Sequence, residues 1–238
     1  MNFSEQLKKA AVDFSLPLSD EQIRAFSQYQ ELLLEWNQKM NLTAITEPQE
    51  IAVKHFIDSL SCLDQAVFPI GCSVVDVGTG AGFPGLPLKI VRPDIQLCLI
   101  DSLQKRTVFL QTVTQALELK DVEIRHLRAE EAGRQKPYRA RFDVAVSRAV
   151  ARLSVLCELC LPFVRTGGYF VAMKGAKFRE EIAAAEAAIR LLGGHIRQVK
   201  EISLPGLNDV RAVIYIEKKK GTPDKYPRRA GIPEKDPL

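Results

Sequence analysis

The sequence predicts an α/β fold, a doubly wound and mostly parallel sheet preceded by an N-terminal helical cap. Three observations carry that reading. From Val74 onward, short β-favouring runs alternate with helical patterns, as strands joined by crossover helices do. The stretch from Val74 to Gly85 passes from three valines around one acid into four glycines. That is a strand breaking into a turn, with Pro87 placed where the first turn of a helix would begin. No strand signal precedes Val74, and the first third of the chain has helical periodicity.

The elements follow in order. Leu7, Ala11 and Phe14 share one helical face. Ser19 with Gln22 three residues on is a capping box. Behind it Ile23, Phe26, Tyr29, Leu33, Trp36 and Met40 recur at three- and four-residue spacing, a stripe expected to face a core. Asn41-Leu42-Thr43 breaks the stripe, and Glu47-Pro48 opens a further helix carrying His55, Phe56, Asp58, Ser59 and Leu60. His55 and Asp58 are three apart and share a face of that helix, as a packing pair or as groups placed over a substrate mouth. After the glycine turn, the run from Ile95 to Ile100 closes on Asp101. A helix is expected over 103–117, strands over 122–127 and 142–146, a helix over 151–164, a strand over 169–173 and an alanine-rich helix over 178–192. The β runs 195–204 and 210–217, joined by Pro205-Gly206-Leu207-Asn208-Asp209, read as a closing antiparallel hairpin. The expected organisation is a cap over 1–71, a sheet domain over 72–217 and a basic tail over 218–238.

Composition narrows the class. A chain of 238 residues with 46% hydrophobic content can bury one sizeable core. Residues 1–10 are polar and charged, and no stretch is long and apolar enough for a bilayer, so a cytoplasmic location is expected. Five cysteines, an odd number in apolar patterns, imply reduced core residues and no disulfide framework. Cys157 and Cys160 form C-x-x-C within a helical pattern, without the second Cys/His pair that zinc requires. No three-cysteine cluster is present for an iron–sulfur centre. No metal is expected.

The glycine turn indicates a nucleoside cofactor. Gly78, Gly80, Gly82 and Gly85 permit positive φ and let a ligand lie against bare backbone. A dinucleotide site wants G-x-G-x-x-G, but Phe83 occupies the third glycine position, and Asp76 stands two residues before the first. A buried carboxylate there repels a pyrophosphate and favours a cation. S-adenosylmethionine carries a sulfonium and an ammonium but no phosphate, which places it ahead of a nicotinamide cofactor. Asp101 ends the next strand, where a carboxylate accepts ribose hydroxyls. Asp76, Gly78, Gly80, Gly82, Phe83 and Asp101 are therefore the expected cofactor residues, in a fold of the class I S-adenosylmethionine-dependent methyltransferase type. Ligands in such sheets bind beyond the carboxyl ends of the strands, so Ala129, Glu130 and Arg148 fall on the same rim.

Several further motifs accompany this turn: Glu35-Trp36-Asn37 with Asn41-Leu42-Thr43, His55-Phe56-Ile57-Asp58-Ser59, the Gly82-Phe83-Pro84-Gly85 extension, Arg128-Ala129-Glu130, Ser147-Arg148-Ala149, Met173-Lys174-Gly175 and Tyr226-Pro227-Arg228-Arg229. Together, over nearly the whole length, they resemble the bacterial GidB family, the 16S ribosomal RNA guanine-N7 methyltransferases of the small subunit. The resemblance implies cofactor contacts at Gly78, Phe83, Ala129, Glu130 and Arg148, and 16S ribosomal RNA or the small subunit as partner. The residues agree in what they lack. There is no Pro-Cys nucleophile for cytosine C5, and no Asn/Asp-Pro-Pro-aromatic turn follows the fourth strand. Guanine N7 suits such a site, because its in-plane lone pair attacks directly and no proton leaves. Orientation alone then supplies roughly 7 to 11 kcal/mol of the barrier. Arg148 is the first candidate for binding cofactor or substrate, with Lys174 and His55 near the acceptor.

Charge points the same way. Residues 218–238 hold seven basic residues against three acids, a net of +4 that equals the net charge of the whole chain. This tail is suited to phosphate contacts or is a solvated end. Arg125, Arg128, Arg134, Lys136, Arg139 and Arg141 cluster around the third strand. A-form RNA hides N7 in a deep, narrow groove, so the target guanine is expected in a loop or splayed strand. A monomer is expected. A small-molecule methyltransferase and a non-catalytic RNA-binding protein are the other classes the sequence allows.

Overall fold

The computed structural model describes residues 2–148 and 151–238, so Ala149 of the Ser147-Arg148-Ala149 motif lies outside the described residues. Two N-terminal helices begin at reciprocal capping boxes. Asn2 with Glu5, a box the sequence reading did not name, starts α1 (Phe3–Asp13), and, as the sequence predicts, Ser19 with Gln22 starts α2 (Asp20–Met40). α2 stops at Asn41, whose φ of 50° is one that Asn tolerates better than most residues.

The helix expected after Glu47 forms, but not as one α-helix. It runs through α3 (Pro48–Glu50), a π-helical segment (Ile51–Ile57) and α4 (Asp58–Leu60). A run this short has too few repeats for apolar spacing to distinguish a π turn from an α turn. π segments are rare and concentrate at functional sites.

Five strands are parallel: β1 (Ser73–Val77), β2 (Gln96–Asp101), β3 (Val122–His126), β4 (Phe142–Arg148) and β5 (Val164–Lys174). The predicted hairpin, β6 (Gly194–Ile202) and β7 (Arg211–Lys218), closes the sheet antiparallel, with order β3-β2-β1-β4-β5-β7-β6. The central strands are almost wholly apolar because helices cover both faces. Val74, Leu97, Leu99, Val144 and Val171 face one core. α1, α2 and the π segment enter that core beside α5 (Gly85–Val91) and α6 (Gln104–Ala116). Val75, Val77, Ile100, Ala145 and Phe170 face the other, under α8 (Leu153–Cys160) and α9 (Phe178–Leu191). The cap helices thus share a continuous core with the sheet.

Two elements differ in length from expectation. The 151–164 helix is α8 followed by a 3₁₀ turn over Leu161–Phe163, because Pro162 cannot donate the next helical bond. β5 begins five residues earlier than predicted, at Val164. Gly167-Gly168 reads as a break, yet the backbone of Asp143 passes so close that no side chain fits at Gly168.

The basic tail is also not the free arm that its composition suggests. Lys218 is the last residue of β7 and only 2% exposed; its ammonium donates to the carbonyls of Leu161 and Leu192 and to Thr222 Oγ1. Beyond it the chain folds back onto the second core, where Tyr226 is buried, and ends in a short α10 (Ile232–Lys235). Among the described residues no helix is long and apolar enough to cross a membrane.

Candidate active site

The turn after β1 is held from beneath. Asp76 is fully buried, and its Oδ2 accepts from Thr79 Oγ1 at 2.7 Å and from the Gly85 amide at 2.8 Å, tying the two ends of the turn together. Its Oδ1 is buried without a partner. Burial pushes the Asp76 carboxyl up to about 7 against the two bonds that favour its charge. Asp76 therefore braces the turn and does not line the cleft above it. Gly82 does not line it either; its α-carbon packs on Tyr29 and Leu86.

A cleft of about 420 Å³ lies over the carboxyl ends of β1 and β2. Gly78, Gly80, Phe83, Asp101 and Arg148 line it, together with Leu42, Thr43, His55 and Arg106. Asp101 accepts from the Gly80 amide through Oδ2 and from the Leu103 amide through Oδ1, each at 2.9 Å. Arg106 Nη1 also reaches Oδ2, at 3.5 Å, and Oδ1 keeps a second lone-pair site for a further donor. No side-chain atom lies within 4 Å of where a Cβ on Gly80 would stand, so the backbone is open to a ligand there. An open glycine, a strand-end carboxylate and an orphaned buried carboxylate oxygen beneath the turn fit a cationic nucleoside.

The inner wall is a stack. Phe83 lies nearly parallel to His55, with centroids 4.6 Å apart, and to Tyr29 at 5.5 Å. The Tyr29 hydroxyl donates to the Ala81 carbonyl, so a residue read only as core also supports the turn. Arg148 sets its guanidinium 4.8 Å from the Phe83 ring centre. Its Nη1 donates to the carbonyls of Lys54 and His55 in the π segment and to Asp58 Oδ2 at 2.9 Å. A wide π turn beside β4 thus becomes a receptor for one arginine. Thr43 holds His55 from the other side, with Oγ1 2.8 Å from Nε2. The Asn-Leu-Thr and His-Phe motifs thus meet at this hydrogen bond.

His55 is kept neutral. Burial, with the charge of Arg148 beside it, lowers the imidazole from 6.5 to about 3. The unfolded chain takes up a proton near pH 6.5 that the native chain refuses, so this contribution is fully present above that pH and is lost as pH falls toward 3. His55→Gln should reduce the loss of stability between pH 7 and pH 5, measured by urea unfolding, by about 2 kcal/mol relative to the unsubstituted protein. Parallel declines in the two proteins would contradict a neutral buried imidazole.

A second cleft, about 430 Å³, opens on the far side of this stack and shares His55 and Arg148 with the first. Lys54, Asp58, Lys174 and Arg211 line it. Lys174 pairs with Glu181 at 2.7 Å and donates to the Ala151 carbonyl. Arg211, which the sequence reading passed over, lies 3.3 Å from Asp58 Oδ1, so Asp58 bridges two arginines. Only the fold reveals that role, since Asp58 and Arg211 are 153 positions apart. Ala129 and Glu130 lie outside the first cleft. They begin α7 (Ala129–Ala132), just after Leu127, whose amide donates to the Asp101 carbonyl. The Glu130 carboxylate accepts from the Gly231 amide.

A glycine turn after β1, an acid closing β2 and a seven-stranded sheet with one inserted antiparallel strand define a class I S-adenosylmethionine-dependent methyltransferase. The fold is similar to that of Aeropyrum pernix fibrillarin in complex with S-adenosyl-L-methionine, with a TM-score of 0.52 at 15% identity over 67% of this chain and 73% of that one. Residues 22–209 match the family model for GidB, rRNA small subunit methyltransferase G. Ribosomal RNA small subunit methyltransferase G of Alkaliphilus metalliredigens is 49% identical over 98% of this chain and 97% of its own length; that of Alkaliphilus oremlandii is 48% identical over 100% of both. The chain belongs to the GidB family.

Proposed function

We propose that the protein transfers a methyl group from S-adenosylmethionine to N7 of a specific guanine in 16S ribosomal RNA of the small subunit, without a general base. The observation that carries this reading is the wall shared by the two clefts. Of its two ionisable groups, His55 sits at about 3 and is a poor base at neutral pH. Arg148 has no lone pair with which to accept a proton. Asp58, beside them, is held between two arginines. An acceptor that must lose a proton finds no partner among these groups, whereas guanine N7 has none to lose.

The chain's own residues bind and orient. Gly78, Gly80, Phe83, Asp101 and Arg148 hold S-adenosylmethionine, with Asp76 and Gly82 shaping the turn and Ala129 and Glu130 forming the outer wall. When bound, the cofactor supplies an electrophilic methyl group. Lys174, Lys54 and Arg211 place cations around the second cleft, where a splayed nucleotide and its phosphates are held. The reading includes a cytoplasmic monomer that requires no metal, so transfer should persist in a chelator.

The test is transfer of labelled methyl to small ribosomal subunits lacking this modification, followed by borohydride and aniline, which cleave RNA at N7-methylguanine. One labelled cleavage site in 16S RNA is expected. Label without cleavage would move the acceptor to another atom, and absence of label from subunits and naked RNA would remove the RNA substrate.

A further inference from the structure

We propose that residues 219–238 form a strap that positions the outer cofactor wall at residues 127–132, with Arg139 and Arg228 as its positioning residues. The proposal rests on the reading above that Ala129 and Glu130 contact the cofactor. α7 has four residues, too few to hold a helix by its own hydrogen bonds. Its position must come from what grips it.

The strap grips it at both ends. At its start, Glu130 Oε1 accepts from the Gly231 amide at 3.0 Å. At its end, Arg139 Nη1 donates to the Gly133 carbonyl and also to the Tyr226 carbonyl, while Nη2 reaches the Thr222 and Pro223 carbonyls. Arg134 donates to the carbonyls of Pro227 and Lys225. The planar guanidinium fork makes such multiple contacts possible, and an ammonium cannot reproduce them.

The strap is in turn locked to α8. Glu158 is fully buried, and its carboxylate accepts from the Arg228 amide, Nε and Nη2, the last at 2.7 Å. A buried carboxylate paired in this way leaves a costly unmatched charge if its partner is removed. Composition suggested that these arginines bind phosphate, but Arg134, Arg139 and Arg228 commit their donors to this chain's own carbonyls and carboxylates. A segment that looks like an RNA arm is built as a clamp on the cofactor site.

The test uses the full chain and calorimetric binding of S-adenosylhomocysteine. Arg139→Lys and Arg228→Ala should each raise its Kd about tenfold, with faster amide exchange over 127–141 and unchanged exchange over 78–82. Lys235→Ala, at an exposed position of the same segment, should leave both unchanged, and affinity for small-subunit RNA should stay within twofold in all three. Arg139→Lys keeps the charge and carries the test if Arg228→Ala does not fold. A folded Arg139→Lys protein with an unaltered Kd overturns the proposal, as does a loss confined to RNA affinity. Ala129→Leu separates the two readings. If it leaves the Kd unchanged, the wall assignment fails and the strap's role with it; if it raises the Kd while the strap variants do not, the strap's role alone fails.

Discussion

Arg148→Ala should lower single-turnover methyl transfer at least a hundredfold and destabilise the fold by about 3 kcal/mol, the low end of the usual cost of removing one partner from a buried ion pair, because Arg211 still pairs with Asp58. The side chains of Arg148 and Asp58 are 13% and 6% exposed, so the lost donor is replaced only by water entering from the clefts that Arg148 lines. The substitution also releases the carbonyls of Lys54 and His55 and the contact with Phe83, loosening the wall common to both clefts. A displacement of about 1 Å at such a wall is enough for a hundredfold loss in rate. Arg148→Lys should recover part of the stability but little of the rate, because one ammonium cannot meet the carbonyls, the carboxylate and the ring together. Arg211 still pairs with Asp58 in the Arg148→Ala protein, so adding Asp58→Asn would take the carboxylate from Arg211 as well, and the double mutant measures the coupling within the triad. Stability should not return, and transfer should stay low. Wild-type transfer by a folded Arg148→Ala protein would take Arg148 out of the site.

The second large effect lies in the glycine turn, where two glycines of similar appearance should behave differently. A Cβ on Gly82 would stand 2.5 Å from both Leu86 Cδ1 and the Tyr29 hydroxyl oxygen, at a φ of +96°. Left-handed strain of about 1–2 kcal/mol and overpacking of about 1–3 kcal/mol together give a loss of about 2–5 kcal/mol for Gly82→Ala. Gly80 has a φ of +61° but open space around its Cβ position. Gly80→Ala should therefore cost only about 1–2 kcal/mol, yet its methyl group enters the cleft and should weaken S-adenosylhomocysteine binding in a folded protein. Urea unfolding with calorimetry on both variants checks this. Equal stability of the two would mean that Gly82 is not packed as described.

Much of this architecture could be read from local pattern. The capping box at Ser19 before α2, the alternation after Val74 and the hairpin before Lys218 each rest on interactions between residues a few positions apart. The cofactor turn is equally local, since glycine spacing and the acids at 76 and 101 carry their chemistry in the strand ends themselves. The π segment was hidden because seven residues hold too few repeats to distinguish the two periods, and the start of β5 because two glycines imitate a break.

What the sequence by itself determined is the order of elements, the glycine cradle and the family of motifs to which they belong. Which charge meets which was decided only by the tertiary structure. Asp58 meets Arg148 and Arg211 across 90 and 153 positions, Arg228 meets Glu158 across 70, and Glu130 meets the Gly231 amide across 101. Composition assigns a basic residue no partner. A buried ion or amide must find one when the chain closes around it, and that requirement turns an apparently free basic tail into a strap and a lone arginine into the wall between two clefts.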